Sequence, residues 1–154
     1  MKTPEIHGVT IRKLNKHKDP RGWLAEIYRS DELDHQVALA YISMTQPELA
    51  RGPHEHLYQT DVFAFIGPGD FDMYLWDNRP ESPSYKNKMK IRVGESEPTV
   101  VVVPPRVVHA YRCISKKMGM VINLPDKLYQ GVGRKNEVDE IRHEENKNSN
   151  FKLD

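Results

Sequence analysis

Arg51-Gly-Pro-His54-Glu-His56 is followed, further along the chain, by Val103-Pro-Pro-Arg-Val-Val-His109. In an extended strand, residues two apart share a face, so His54 and His56 project together. The Pro-Pro pair fixes the entry to a second strand, which carries His109. These segments predict two facing strands of a β-barrel with three imidazoles in its interior. Because imidazole titrates near neutral pH and also binds metals, proton transfer and metal binding both remain open.

Most of the remaining chain consists of short apolar or alternating runs separated by turn residues, which is typical of strands. The runs cover residues 24–28, 37–43, 61–66, 71–76, 99–103, 110–114 and 118–123. Gly67-Pro-Gly-Asp70 predicts a hairpin turn that pairs its two neighbouring runs, since glycine reaches positive φ and proline cannot continue a ladder. The pattern predicts an all-β fold, either a sandwich or a jelly-roll barrel. Only the barrel gives the histidines an interior to face.

The chain length of 154 residues is that of one ordinary domain, so we expect a single domain over residues 1–154. Its core is expected at about residues 8–131, followed by a short polar tail at about residues 132–154. The tail is rich in charged and amide groups, which predicts a solvated helix or a frayed end. The alternative is a segment that docks over the pocket or onto a partner.

Charge and cysteine content exclude several classes of protein. The formal net charge is +1, and basic residues alternate with acidic ones, so nucleic acid is not an expected partner. Cys113 is the single cysteine, which excludes an internal disulfide. The sequence shows neither a membrane-spanning run nor the layout of a signal peptide. We therefore expect a cytoplasmic protein without a membrane partner.

The histidine pattern resembles the two motifs of the cupin superfamily, His-x-His followed by an acid and a glycine, and Pro-x-Gly-x-x-His. The matching residues are His54, His56, Asp61, Gly67 or Gly69, Pro104 and His109. Asp61 stands in place of the usual Glu, and Arg106 in place of the usual Gly. This resemblance implies a jelly-roll barrel with a divalent metal at the three histidines and Asp61. Such a protein would be an oxygenase-like enzyme or a small-ligand binding module without turnover.

A closer resemblance, from about residue 8 to residue 131, is to the sugar-nucleotide epimerases typified by dTDP-4-dehydrorhamnose 3,5-epimerase. The similar blocks, in chain order, are Asp19-Pro-Arg-Gly-Trp-Leu-Ala-Glu26, Arg51-Gly-Pro-His54, Asp77-Asn-Arg-Pro-Glu-Ser-Pro-Ser-Tyr85, Val103-Pro-Pro-Arg-Val-Val-His-Ala-Tyr111 and Tyr129. Five blocks in the same order along the chain identify the family more specifically than any single block does.

This resemblance implies proton abstraction next to the C4 ketone of a nucleotide-linked 4-keto-6-deoxy sugar, without a cofactor. His54 would be the base, and Tyr129 the acid on the opposite face of the sugar. Arg21 and Glu26 would hold the nucleotide, often across the contact of a homodimer, and Arg51 would lie beside the phosphates. An isomerase of this kind and a metal-binding cupin are the two hypotheses from the sequence.

His56 and Asp61 depart from the epimerase pattern, which has Gln and Lys at these places. Together with His109, they are assigned to substrate binding. The Lys of the family stabilises the enolate, so the source of that stabilisation is open here. The family also pairs its catalytic His with an Asp from a longer C-terminal region, and neither Asp139 nor Asp154 can be given this role from the sequence.

Overall fold

The structure, a computed structural model, describes residues 5–154. The strands are β1 (Thr10–Lys13), β2 (His17–Asp19), β3 (Gly22–Leu24), β4 (Tyr41–Thr45), β5 (Ala50–Glu55), β6 (Asp61–Phe65), β7 (Asp70–Asp77), β8 (Lys88–Gly94), β9 (Thr99–Val103), β10 (Val107–Cys113), β11 (Gly119–Asn123) and β12 (Ile141–Arg142). Within the described residues, helical structure is limited to two 3-10 turns, at Val132–Arg134 and His143–Glu145. No helix in this range has the length and apolar character needed to cross a membrane.

Two five-stranded sheets form the body of the molecule. Sheet I has the order β1-β9-β6-β11-β4, and sheet II has the order β12-β5-β10-β7-β8. Neighbouring strands in both sheets are antiparallel, and β2 and β3 form a separate hairpin. The prediction of an all-β jelly roll of the cupin type is confirmed.

Alternation along the strands builds the core between the two sheets. Phe63 and Phe65 of β6 point inward from sheet I and meet Met73 and Leu75 of β7 and Tyr111 of β10 from sheet II. The residues between them point to the opposite faces, so both sides of each central strand are buried. Burial of this apolar surface is the main contribution to the stability of the sheet packing.

The Gly67-Pro68-Gly69 turn forms as predicted, but the strands that it joins do not pair with each other. β6 lies in sheet I and β7 in sheet II, so the turn carries the chain from one sheet to the other. Gly69 has φ +83°, and a Cβ there would lie 2.7 Å from Gly119 Cα. Only glycine permits this close approach. The predicted hairpin pairing is therefore wrong, because a Gly-Pro-Gly turn fits a sheet-to-sheet corner as well as a hairpin.

The 77–85 block, part of the resemblance described above, is a loop that closes on a buried carboxylate. Asp77 accepts hydrogen bonds from Arg79 Nε (2.7 Å) and from the hydroxyls of Ser82 and Ser84 (2.5 Å each). Burial opposes its charge, but these donors hold the pKa of Asp77 well below its usual value. Ser84 Oγ also accepts from the His7 amide (2.8 Å), which ties the N-terminal segment to the loop.

The C-terminal tail is docked, so the prediction of a solvated or frayed end is wrong. β12 pairs with β5, and Phe151 and Leu153 pack against Tyr74 and Trp76 on the outer face of sheet II. The Tyr74 hydroxyl donates to the backbone carbonyl of Asp154 (3.1 Å). Tyr74 and Trp76 project from the outer face of β7, and Phe151 and Leu153 shield them from solvent. These two apolar residues anchor an otherwise polar segment.

Candidate active site

A cavity of about 1460 Å³ opens between the two sheets. Its wall includes β4, β5, the 125–134 loop and the first part of the tail. Arg51, His54, His56, Tyr58 and Tyr129 are among the side chains that line it. The volume exceeds the roughly 300–1,000 Å³ of typical small-molecule sites, so a ligand as large as a nucleotide sugar can be accommodated.

Three imidazoles converge at one end of this cavity. The ring centroids of His54 and His109 are 4.6 Å apart, and His56 lies 6.0 Å from each. His54 and His109 are register partners on β5 and β10, which are neighbours in sheet II. The prediction that the rings come together is right, but the prediction of facing strands is wrong, since the two strands are hydrogen-bonded side by side.

Gly52 explains how the two histidine strands come so close. Its φ is +81°, and a Cβ there would lie only 2.5 Å from the carbonyl oxygen of His109. The register of β5 and β10 shifts between His109 and Tyr111, next to this contact. A side chain at position 52 would push the strands apart, so the glycine of the Arg-Gly-Pro-His block positions His54 against His109.

Asp61 reaches the imidazoles from β6 of the opposite sheet. Its Oδ2 lies 3.3 Å from His56 Nε2 and 3.4 Å from His109 Nε2. Its Oδ1 accepts hydrogen bonds from Gln59 Nε2 (2.9 Å) and Asn123 Nδ2 (2.8 Å). Asp61 and His109 are each 1% exposed and do not line the cavity. This burial does not fit the predicted contact of Asp61 and His109 with the substrate. The two residues instead support the rings of His54 and His56, which reach the cavity.

The charges of this cluster follow from burial and from the Asp61 carboxylate. Burial opposes ionisation of Asp61, but the hydrogen bond with His56 prevails and holds the pKa of Asp61 at about 2. Burial likewise disfavours the cation of His56, but Asp61 raises the pKa of His56 to about 9. Burial and the adjacent His54 lower the pKa of His109 to about 3. At neutral pH Asp61 is therefore a carboxylate, His56 an imidazolium and His109 a neutral imidazole.

His54 has two carboxylates of the tail beside its Nδ1. Glu144 Oε1 lies at 3.6 Å and Glu140 Oε1 at 3.8 Å. Burial opposes the charge of Glu144, but its contact with His54 holds the pKa of Glu144 below its usual value. A carboxylate next to Nδ1 orients the ring and stabilises the imidazolium that forms when the other nitrogen takes a proton. Sequence reasoning missed both glutamates, because nothing in the polar tail distinguishes them.

Asp139 and Asp154, the two acids that the sequence left without a role, have structural functions. The carboxylate of Asp139 accepts from the amides of residues 57, 58 and 59 at 2.7–3.0 Å. The backbone carbonyl of Asp139 accepts from His56 Nδ1. Asp154 lies on the outer face of sheet II, where Lys90 and Arg112 contact it. Neither carboxylate is the partner of His54.

The sequence matches the family described as dTDP-4-dehydrorhamnose 3,5-epimerase over residues 3–139. The chain belongs to this family. It is 32% identical over 129 residues to the probable low-salt glycan biosynthesis epimerase Agl13 of Haloferax volcanii, and the match covers 82% of each chain. It is 34% identical over 113 residues to the spore coat polysaccharide biosynthesis protein SpsL of Bacillus subtilis, covering 72% of this chain and 74% of the relative.

Solved structures of this epimerase family share the fold. The crystal structure of a dTDP sugar isomerase from Desulfovibrio desulfuricans G20 superposes with a TM-score of 0.83 at 20% identity, covering 96% of this chain and 91% of the other. Family membership makes the chain a sugar-nucleotide epimerase, an isomerase of carbohydrate biosynthesis. It favours this function over the alternative of an oxygenase-like or ligand-binding cupin.

The other residues that the epimerase resemblance singled out lie in different parts of the chain. Arg51 lines the cavity, and its guanidinium donates to Thr45 Oγ1 (3.1 Å) and the Met44 carbonyl (2.8 Å). Tyr129 lies in the loop after β11 at the cavity wall and is half exposed. Arg21 is in the β2–β3 turn with 91% of its side chain exposed, and Glu26 pairs with Arg29. Arg21 and Glu26 do not line the cavity of their own chain.

The histidine cluster also has a geometry that suits a divalent metal ion. The candidate ligand atoms of His54, His56 and His109 all lie within 4.8 Å of one another. His109 donates from Nδ1 to the Val107 carbonyl (3.1 Å), and its buried Nε2 has no hydrogen-bond partner among residues 5–154. The 3.3 and 3.4 Å separations from Asp61 Oδ2 match the edge of a tetrahedron whose ligands lie about 2.0–2.2 Å from zinc. The three imidazoles therefore fit such an ion, and Asp61 Oδ2 lies at a ligand-to-ligand distance from two of them.

Proposed function

We propose that this epimerase exchanges a proton at a carbon next to the C4 ketone of a dTDP-linked 4-keto-6-deoxy sugar, with His54 as the base. The observation that carries the proposal is the position of His54, in the cavity wall with Nδ1 beside Glu140 and Glu144. A proton next to a ketone is weakly acidic, so removal at neutral pH needs a positioned base and stabilisation of the enolate oxygen. The carboxylates support the charge that His54 acquires.

We also propose that His56 supplies the positive charge that the enolate needs. The family has Lys at the place of Asp61, and an acid cannot stabilise an enolate. Asp61 instead keeps His56 protonated, and His56 lines the cavity. Both nitrogens of His56 are engaged within the protein, so it would act without a direct hydrogen bond, through the dipole of the His56–Asp61 pair, whose positive end faces the cavity.

The remaining substrate contacts are proposed by analogy with the family. Tyr129 would return the proton from the opposite face of the sugar, and Arg51 would bind a phosphate oxygen, for which a guanidinium is well suited. Arg21 and Glu26 would complete the cavity of a second copy in a homodimer. Trp23 and Leu24, on the adjacent strand β3, are 51% and 63% exposed, and two neighbouring exposed apolar side chains favour an interface there.

Incubation of the protein with dTDP-4-keto-6-deoxyglucose in deuterium oxide tests the function. We expect deuterium at C3, C5 or both, detected by mass spectrometry and located by NMR. The His7→Asn variant, altered at an exposed side chain outside the cavity, is the matched control and should exchange at the wild-type rate. A folded protein that binds dTDP but leaves both positions protonated would contradict the proposal.

The same cluster supports a second candidate, a divalent metal site formed by His54, His56, Asp61 and His109. A bound ion would supply a Lewis acid for a substrate oxygen. It would also occupy His54 and prevent it from acting as a base. Titration of the metal-free protein with Co²⁺ should then give visible absorption bands that saturate at about one ion per chain. Loss of these bands in His109→Asn, together with their persistence in His7→Asn, would support the site, and absence of bands in the wild type would exclude it.

A further inference from the structure

A buried hydrogen-bonded pair, Glu55 and His143, lies on the face of β5 opposite to the cavity. Glu55 is 3% exposed and points away from His54 and His56. It accepts hydrogen bonds from Asn78 Nδ2 (2.8 Å) and from His143 Nε2 (2.8 Å). Neither Glu55 nor His143 lines the cavity, so the reaction itself does not account for this pair.

This hydrogen-bonded pair connects β5 to the tail segment that carries the two cavity glutamates. β12 pairs with β5 in the register Ile141 with Glu55 and Arg142 with His54. The side chains of Glu140 and Glu144 reach the cavity from the two ends of this short segment. With so few backbone pairs, the register of the segment depends on side chains: Asp139 fixes its first end to the amides of residues 57–59, and the Glu55–His143 pair fixes its second end. A shift of one residue would turn its side chains to the other face.

Resting on the proposed role of His54, we propose that Glu55 and His143 form a positioning clasp. The clasp fixes the tail on β5 in the register that places Glu140 and Glu144 beside His54 Nδ1. A buried carboxylate without its donors is strongly disfavoured, so Glu55 selects the register in which His143 reaches it. The edge-to-face contact of His143 with Phe151 (4.6 Å between centroids) supports the ring from its other side.

Replacement of His143 by Leu tests the clasp, with His143→Gln as the conservative variant that can still donate to Glu55. In His143→Leu we expect kcat to fall on the order of 10–100-fold while KM changes much less, because misplacement of a catalytic group affects turnover. Amide hydrogen exchange of residues 138–146 should accelerate. The His143→Gln variant should recover most of kcat and most of the protection. Leu153→Ala, which loosens the far end of the tail, should keep kcat near the wild-type value.

Two further readouts separate the clasp from the proposed function, because they do not require turnover. The ¹⁵N shifts of the His54 ring report which nitrogen carries the proton, and the Nδ1-protonated form that faces the glutamates should lose population in His143→Leu. Unchanged ring shifts and unchanged tail exchange in His143→Leu would overturn the clasp, whether or not the wild type is active. Failure of deuterium exchange in the wild type would overturn the proposed function alone.

Discussion

The His54→Asn variant is expected to lose about 10²–10⁴-fold in kcat for deuterium exchange into the 4-keto sugar. Asn keeps much of the shape and hydrogen-bonding capacity of the ring but cannot accept a proton at neutral pH. The neighbouring imidazoles cannot take over the role: His109 is buried beneath the cavity, and His56 is held as a cation by Asp61. The loss should therefore appear in turnover, with the affinity for dTDP nearly unchanged.

Two controls make the His54 result specific. The thermal unfolding midpoint of His54→Asn should remain close to that of the wild type, since the side chain is only partly buried. His7→Asn should retain full activity, because the His7 side chain is exposed and does not line the cavity. Activity of His54→Asn within threefold of the wild type would refute the assignment of the base. A parallel loss of dTDP affinity and of fold would instead assign His54 a structural role.

The fold and the centre of the site could be predicted from the sequence because they depend on local periodicity. The two-residue spacing of His54 and His56 places both rings on one face of a strand, wherever that strand lies. The side-by-side pairing of β5 with β10 could not be predicted in this way. It depends on a close contact between Gly52 and His109, and residues so distant in sequence reveal no contact through periodicity.

The tail shows a second limit of sequence reasoning. Its polar composition predicted a frayed end, but Phe151 packs against Trp76, and His143 bonds to the buried Glu55. A segment with few apolar residues can dock where the surface offers an apolar side chain to cover and a buried polar group to bond, as Trp76 and Glu55 do here. The same long-range contacts place Glu140 and Glu144 at His54, which is why the acidic partners of the base were missed.

Replacement of Asp61 by Asn is expected to lower the free energy of unfolding by about 3–5 kcal/mol at pH 6. Asp61 is buried between His56 and His109, and its removal leaves the His56 cation without a counter-charge in the interior. Burial then drives His56 to its neutral form, which loses the charge-assisted bond that connects the two sheets. Urea unfolding followed by tryptophan fluorescence measures the difference.

The pH dependence of stability distinguishes this electrostatic cause from a simple packing defect. Asp61 has a lowered pKa, so its contribution is complete above about pH 4 and is lost as the pH falls toward 2. The pKa of His56 is raised from 6.5 to about 9, so its contribution is complete below pH 6.5 and is lost as the pH rises toward 9. The free energy of unfolding of the wild type should therefore fall by up to about 3 kcal/mol between pH 6.5 and pH 9.

In Asp61→Asn, this alkaline decline should largely disappear, because His56 no longer has a raised pKa to lose. Asp31→Asn is the matched control, since Asp31 is an exposed acid of the surface, and it should change stability by less than about 0.5 kcal/mol. An Asp61→Asn protein that is destabilised equally at pH 6 and pH 9 would show that Asp61 contributes through packing. In that case His56 would not be held as a cation, and the stabilisation of the enolate would need another source.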